Sequence, residues 1–265
     1  MNKSNRIKLI IGLVLTGIVF LMMLAGCFFT PFDPMEMDAT SKLAGISFKH
    51  IMGTDQFGRD IFSRVLVGVR ETMIVSGSVV LIGTFVGTVV GTVTGYFGGW
   101  LDEIIMRLND AVLAFPSVLL ALLIIGLFGG GRNTLILALG IAFVPSFARI
   151  IRGEVLKIRN LDYISCVRLY GASHFRIIVV HILPNLKAVL LSSILIGFNN
   201  AVLAEAGMSY LGMGVQPPNP SLGRMLSEAQ AYIFTNPLTA IFPGLIIVIM
   251  ILGFSLLSDA LEKKS

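Results

Sequence analysis

Apolar residues run along this chain in long blocks, and the polar stretches between them are short. A helix needs roughly 17–25 mostly apolar residues to cross the hydrocarbon core of a bilayer. Six blocks meet that length: 9–29, 72–97, 111–128, 134–150, 188–204 and 238–257. The pattern predicts an all-α polytopic protein with six transmembrane helices. Residues 1–29 form the N-terminus and first span, residues 30–71 a polar loop, and residues 72–265 a core with five more spans. Two polar stretches interrupt that core, at 151–187 and 205–237. Pro217, Pro218 and Pro220 exclude a spanning helix from the second. Ser221 there is placed to cap a short surface-lying or re-entrant helix running to Ala231, with Arg224 and Glu228 on one side.

Within the blocks, several residues break the apolar monotony. Gly83, Gly87, Gly91 and Gly95 recur every fourth position, one step behind Thr84, Thr88 and Thr92 at the next. Small residues at that spacing line one helix face and admit a second backbone, within the subunit or across a dimer. Pro116 is expected to kink the third span and Pro145 lies in the fourth. Asn199 and Asn200 sit in the fifth. Two adjacent amides at membrane depth must bond another helix or face an aqueous path.

The stretch from Asp162 to Pro184 has a different character. Ile158, Leu161, Ile164, Leu169 and Tyr170 precede Gly171; Phe175, Ile178 and Val179 follow it, and Leu183-Pro184 closes it. This reads as short helix, glycine turn, short helix, proline stop. Arg149, Arg152, Lys157, Arg159, Arg168, Arg176 and Lys187 crowd around it against only Glu154 and Asp162. Basic loops stay on the cytoplasmic side, so both termini are expected there too. The stretch is either a solvated connector or a docking element for a cytosolic partner.

Composition sharpens the class. Of 265 residues, 55% are hydrophobic and 13% charged, about half the charge of a soluble domain. The net charge of +5 lies in the candidate cytoplasmic segments, so it does not point to nucleic acid. Cys27 and Cys166 fall in a first span and a distant loop, and no disulfide is expected. Leu24-Ala25-Gly26-Cys27 imitates a lipoprotein cleavage box, but the further spans favour an uncleaved first helix.

No Gly-x-x-x-x-Gly-Lys-Ser/Thr phosphate loop occurs, so ATP and Mg are not expected on this chain. No catalytic constellation stands out among the residues. The span blocks hold essentially no carboxylates, which disfavours an ion-coupled secondary transporter or an intramembrane hydrolase. His50, His174 and His181 are the three histidines. The last two read as hydrogen-bonding groups. His50, Met208 and Met213 are the residues to consider as transient ligands for a soft metal ion. Glu205 and Met208, with the two asparagines, are candidates for a pathway.

Three segments carry a family resemblance. Gly171, Leu183 and Pro184 stand where the cytoplasmic Glu-Ala-Ala loop of ABC importer permeases has its glycine and its Leu-Pro. Ser165, Cys166 and Val167 replace the Glu-Ala-Ala itself. The run Gly53–Gly68, GTDQFGRDIFSRVLVG, resembles the signature of the C-type permease of peptide and nickel importers. AGMSYLGMGV, in the 205–237 stretch, resembles a second signature of that branch. The resemblance implies a type I importer permease fold in a bacterial plasma membrane. It implies a homologous partner permease in a heterodimer, two cytosolic ATPases and an extracytoplasmic binding protein. Arg168, Leu169, Tyr170, Gly171, Ala172, Phe175, Arg176 and Pro184 would then meet the ATPases. Gly53, Asp55, Gly58, Arg59, Asp60 and Arg64 would form an ion-paired cap on the outer mouth or touch substrate. Nickel and small peptides remain as cargoes. The Ser-Cys-Val replacement and the AGMSYLG wording lean toward nickel.

Overall fold

A computed structural model describes residues 3–262, and almost all of them are helical. No strand occurs among them beyond a single Thr54–Asp60 bridge. Five helices are long and apolar enough to cross a membrane, and a bent pair makes a sixth span. The six-span, all-α expectation holds.

Helix α1 (Lys3–Phe28) lies against α10 (Leu238–Glu262). Gly12 and Gly253 let the two backbones touch, and Lys8 Nζ donates to Asp259 at 2.8 Å. Lys263 and Lys264, which follow the last apolar block in the sequence, lie outside the described residues.

Helix α2 (Ile61–Phe97) starts well before the expected position 72. Arg64, Arg70 and Glu71 interrupt the apolar block and hid the true start. Each is paired, so their charge does not stop the helix. Asp60 caps it, accepting from Ser63 N at 2.8 Å. At 37 residues the helix is about 55 Å long, so it runs from the cap made by residues 29–60 to the far end of the bundle.

The glycine seam faces α5 (Arg132–Arg159) of the same chain. A Cβ on Gly87 would stand 2.5 Å from Phe147 Cβ, and one on Gly91 2.5 Å from the Ala148 carbonyl oxygen. Gly83 and Gly95 meet Phe143 and Arg152 at 3.1 and 3.0 Å. This close approach makes α2 and α5 the rigid spine of the bundle.

The third span is broken, not kinked. Helices α3 (Gly99–Leu113) and α4 (Ser117–Phe128) meet at 85°. Pro116 disfavours helical geometry at Phe115 and offers no N–H of its own, so α4 starts afresh after it. The polar first arm lies along α5. Arg152 Nε and Nη2 clasp Asp102 at 2.5 and 2.6 Å, Arg149 pairs with Asp110, and Asn109 donates to the Pro145 carbonyl at 3.0 Å.

Beyond Gly171 the expected proline stop does not occur. The chain continues as helix from His174 to Tyr210. It passes through α7 (His174–Arg176), a π-helical turn at Ile177–Ile182, a 3-10 turn at Leu183–Leu186, and α8 (Lys187–Tyr210). The wide turn followed by the tight one lets the Pro184 ring pass without ending the helix. Helix α6 (Asp162–Leu169) and the short α9 (Leu222–Ala229) complete the set. Ser221 caps α9 as expected, accepting from Arg224 N at 3.3 Å.

Candidate functional site

At one end of the bundle, α6 and the turn after it stand on their own small core. Ile164, Ile177, Ile182 and Leu186 are fully buried against Val155, Ile158 and Tyr96. Gly171 turns the chain at φ +82°, where a Cβ is strained. Ser173 caps the next turn through Arg176 N. The base is therefore fixed, while the tip faces outward. Leu169, Tyr170 and Phe175 are 88%, 92% and 76% exposed. Arg168 and Arg176 are exposed beside them and Ala172 is half-buried. Of the residues that replace Glu-Ala-Ala, Ser165 and Cys166 are exposed and Val167 is half-buried. Three large apolar side chains so open to solvent, on a rigid base, mark an interaction surface.

Three hydrogen bonds brace this turn and the helix after it. Tyr96 Oη lies 2.8 Å from His174 Nδ1, and Asn185 Nδ2 donates to Tyr163 Oη at 3.1 Å and to the His181 carbonyl at 2.6 Å. Tyr96, Tyr163 and Asn185 are missing from the sequence reading. A tyrosine at a span end and an asparagine after proline carry no signal of their own. Their partners are remote in sequence.

At the opposite end lies the cap. Asp55, Arg59, Asp60 and Arg64 are all buried, so the motif is a folded lid and not an open contact surface. Gly53 and Gly58 occupy its turns with positive φ. Glu228 of α9 is the hub, accepting from Arg59 Nη2 at 2.8 Å, Arg64 Nη2 at 3.1 Å and Arg224 Nε at 3.2 Å. Asp55 accepts from Arg59 Nε at 2.6 Å. The Gly53–Gly68 signature and α9, remote in sequence, are thus one ion-paired unit.

Several expected pathway and ligand residues fall elsewhere. Glu205 lies inside α8 and is fully buried, accepting from Thr72 Oγ1 at 2.8 Å and Ser209 Oγ at 2.7 Å. It cross-links α2 and α8, and it corrects the expectation of carboxylate-free spans. Met208 is fully buried in the core and offers no ligand surface. His50 is held against Asp60 at 2.9 Å and is itself buried. Met213 alone of these three is exposed. No cluster of metal-ligating side chains occurs among the described residues.

The asparagine pair divides. Asn199 faces α10, where its amide fits the Ile251 carbonyl (3.3 Å) and Ser255 N (3.2 Å). Asn200 instead lines a cavity of about 410 Å3 between α4, α5 and α8. Cys27 and Cys166 are free, as expected.

A bundle of this kind, with a broken span, a lid at one end and an exposed turn at the other, is the architecture of an importer permease. Residues 87–264 match the family of binding-protein-dependent transport system inner membrane components, and the chain belongs to that family. It is 36% identical over 260 residues to a dipeptide transport system permease protein, DppC, of Alkalihalophilus pseudofirmus. That match covers 98% of this chain and 85% of the relative. It is 41% identical over 218 residues to a glutathione transport system permease protein, GsiD, of Escherichia coli O6:K15:H31, covering 82% and 72%. Among solved structures, an inward-facing MetNI methionine ABC transporter chain superposes with a TM-score of 0.65 at 20% identity, covering 76% of this chain and 95% of that one. This last likeness concerns the fold alone. The two sequence relatives are named for dipeptide and glutathione, and neither is named for nickel, so they favour the peptide alternative over the lean toward nickel.

Proposed function

We propose that this chain is the membrane subunit of an ATP-driven importer that moves small peptides into the cytosol of a bacterium. The observation that carries the reading is the exposed Leu169–Tyr170–Phe175 tip on its buried base, taken with relatives named as dipeptide and glutathione permeases. The tip inserts into a groove on a cytosolic ATPase, with Arg168 and Arg176 meeting acids at its rim. Two such ATPases supply ATP and Mg. That places both termini in the cytosol and the ion-paired lid outside, facing a binding protein. An apolar groove of about 830 Å3 between α2 and α8, flanked by Thr84, Thr88 and Phe198, accommodates a homologous partner permease in a heterodimer.

Closure of the ATPases pushes on the turn around Gly171. The Tyr96–His174 and Tyr163–Asn185 bonds pass the movement to α2 and α8. The test is reconstitution in proteoliposomes with the partner permease, the ATPases and the binding protein. Labelled dipeptide, glutathione and nickel are offered in competition. ATP-dependent accumulation of peptide that nickel does not compete away is the expected result. Uptake without ATP, or of nickel alone, overturns the reading.

A further inference from the structure

The lid holds a cavity of its own, of about 180 Å3, that plays no part in the proposed transport. Four carboxylates line it, Asp33, Glu36, Asp38 and Asp60, against one lysine, Lys49. Asp33, Glu36 and Lys49 are exposed, so the cavity opens to solvent. Among the described residues no ion pair engages Asp33, Glu36 or Asp38. Hydrogen bonds from the Thr40 and Ser41 hydroxyls hold the Asp38 carboxyl down at about 2, so it is charged at neutral pH.

Surface carboxylates are ordinarily just solvated, and the observation that points to a ligand is His50. It lines the same cavity and is 8% exposed. Its ring lies against Phe32, with ring centroids 4.8 Å apart. Nδ1 stands 2.9 Å from Asp60 Oδ1. A carboxylate oxygen only accepts, so Nδ1 carries the proton of the neutral ring and Nε2 presents a lone pair. Nε2 is buried and has no hydrogen-bond partner among the described residues. A buried acceptor without a donor is costly to keep, and Asp60 and Phe32 hold the ring in place. Every polar side chain lining the cavity except Lys49 is an acceptor, so the group that is missing is a donor with positive charge. No three side chains among the described residues gather closely enough to hold a metal ion. A primary ammonium makes no such demand: it spreads three N–H donors from one compact charge.

We infer that this cavity is a binding site for a primary ammonium group. His50 Nε2 accepts one N–H, and Asp33, Glu36 and Asp38 supply the negative field. Two sources carry that group to the outer face, the α-ammonium of a peptide cargo and a lysine side chain of the binding protein. The site itself stands apart from the importer reading; the choice of these two sources rests on it.

The test uses the full chain, labelled with 15N-histidine, in lipid nanodiscs. It follows the Nε2 resonance of His50, assigned by its loss in His50→Gln. n-Butylammonium is expected to shift that resonance saturably, because an N–H donor then meets the lone pair. Tetramethylammonium, with the same charge and no N–H, is expected to leave it in place. Glu36→Gln, at an exposed position that leaves the fold intact, is expected to weaken the butylammonium response about threefold. A shift with Ala-Ala and none with N-acetyl-Ala-Ala identifies the cargo as the source. A shift with the binding protein that is lost when its lysines are acetylated identifies the protein instead. No saturable shift with butylammonium, an equal shift with tetramethylammonium, or no response to either source overturns the site. None of these measurements needs ATP or transport, so their failure leaves the importer reading standing, and a failed uptake assay leaves the site standing.

Discussion

The Tyr96 hydroxyl and His174 Nδ1 lie 2.8 Å apart, joining the last turn of α2 to the first turn after Gly171. The joint is braced. The Arg168 guanidinium stands 5.8 Å from the centre of the Tyr96 ring, and Arg159 Nη1 donates to the Gly95 and Tyr96 carbonyls at 3.0 Å each. The glycine-packed spine of the bundle and its exposed turn are therefore fastened together at this joint.

Removing that joint should separate assembly from coupling. Tyr96→Phe keeps the ring and its packing and deletes one hydrogen bond, worth about 1 kcal/mol. The complex should assemble, while ATP hydrolysed per peptide imported rises about fivefold, the factor that energy allows. The measurement is paired ATPase and uptake rates in proteoliposomes. An unchanged ratio means that the bond does not transmit movement.

The glycines of α2 and α5 should respond according to what faces them. Gly87→Val sets a branched side chain against Phe147 and the Ala148 backbone. Overpacking of this kind costs about 1–3 kcal/mol, and more where backbone must shift. Gly153→Ala meets nothing within 4 Å, and helical Gly→Ala stabilises by about 0.5–1 kcal/mol. Thermal unfolding in detergent should show a lower midpoint for the first variant and an equal or higher one for the second.

In the lid, Glu228 holds Arg59 and Arg64 together. Glu228→Gln leaves the Arg64 side chain, 2% exposed, with Asp55 as its remaining anion at 3.5 Å. Breaking a buried ion pair from one side costs about 3 kcal/mol. Glu103→Gln disrupts the exposed Glu103–Arg107 pair and should cost under about 0.5 kcal/mol. Limited proteolysis of residues 29–60 should accelerate in the first variant and not in the second.

Six apolar blocks, the glycine turn and the three family segments were legible along the chain. Each depends on local composition or on a fixed short spacing. The ends of the spans were not. Paired charges carry α2 back to Ile61, and a π turn followed by a 3-10 turn carries helix through Pro184, so rules for single residues placed both boundaries wrongly. The roles of Glu205 and the asparagine pair were equally hidden. Thr72 meets Glu205 across 133 residues, and Asn199 and Asn200 differ only in which neighbouring helix each one faces.

What the chain alone determined is its solvent: long oily blocks must be helices in a bilayer, because unbonded backbone is intolerable there. What only the tertiary structure decided is which polar groups meet. A charge or amide at membrane depth can be a cross-link, a lid or part of a passage, and its meaning depends on the partner that folding brings within about 3 Å. That partner lies on another helix, at a distance along the chain that no periodicity records.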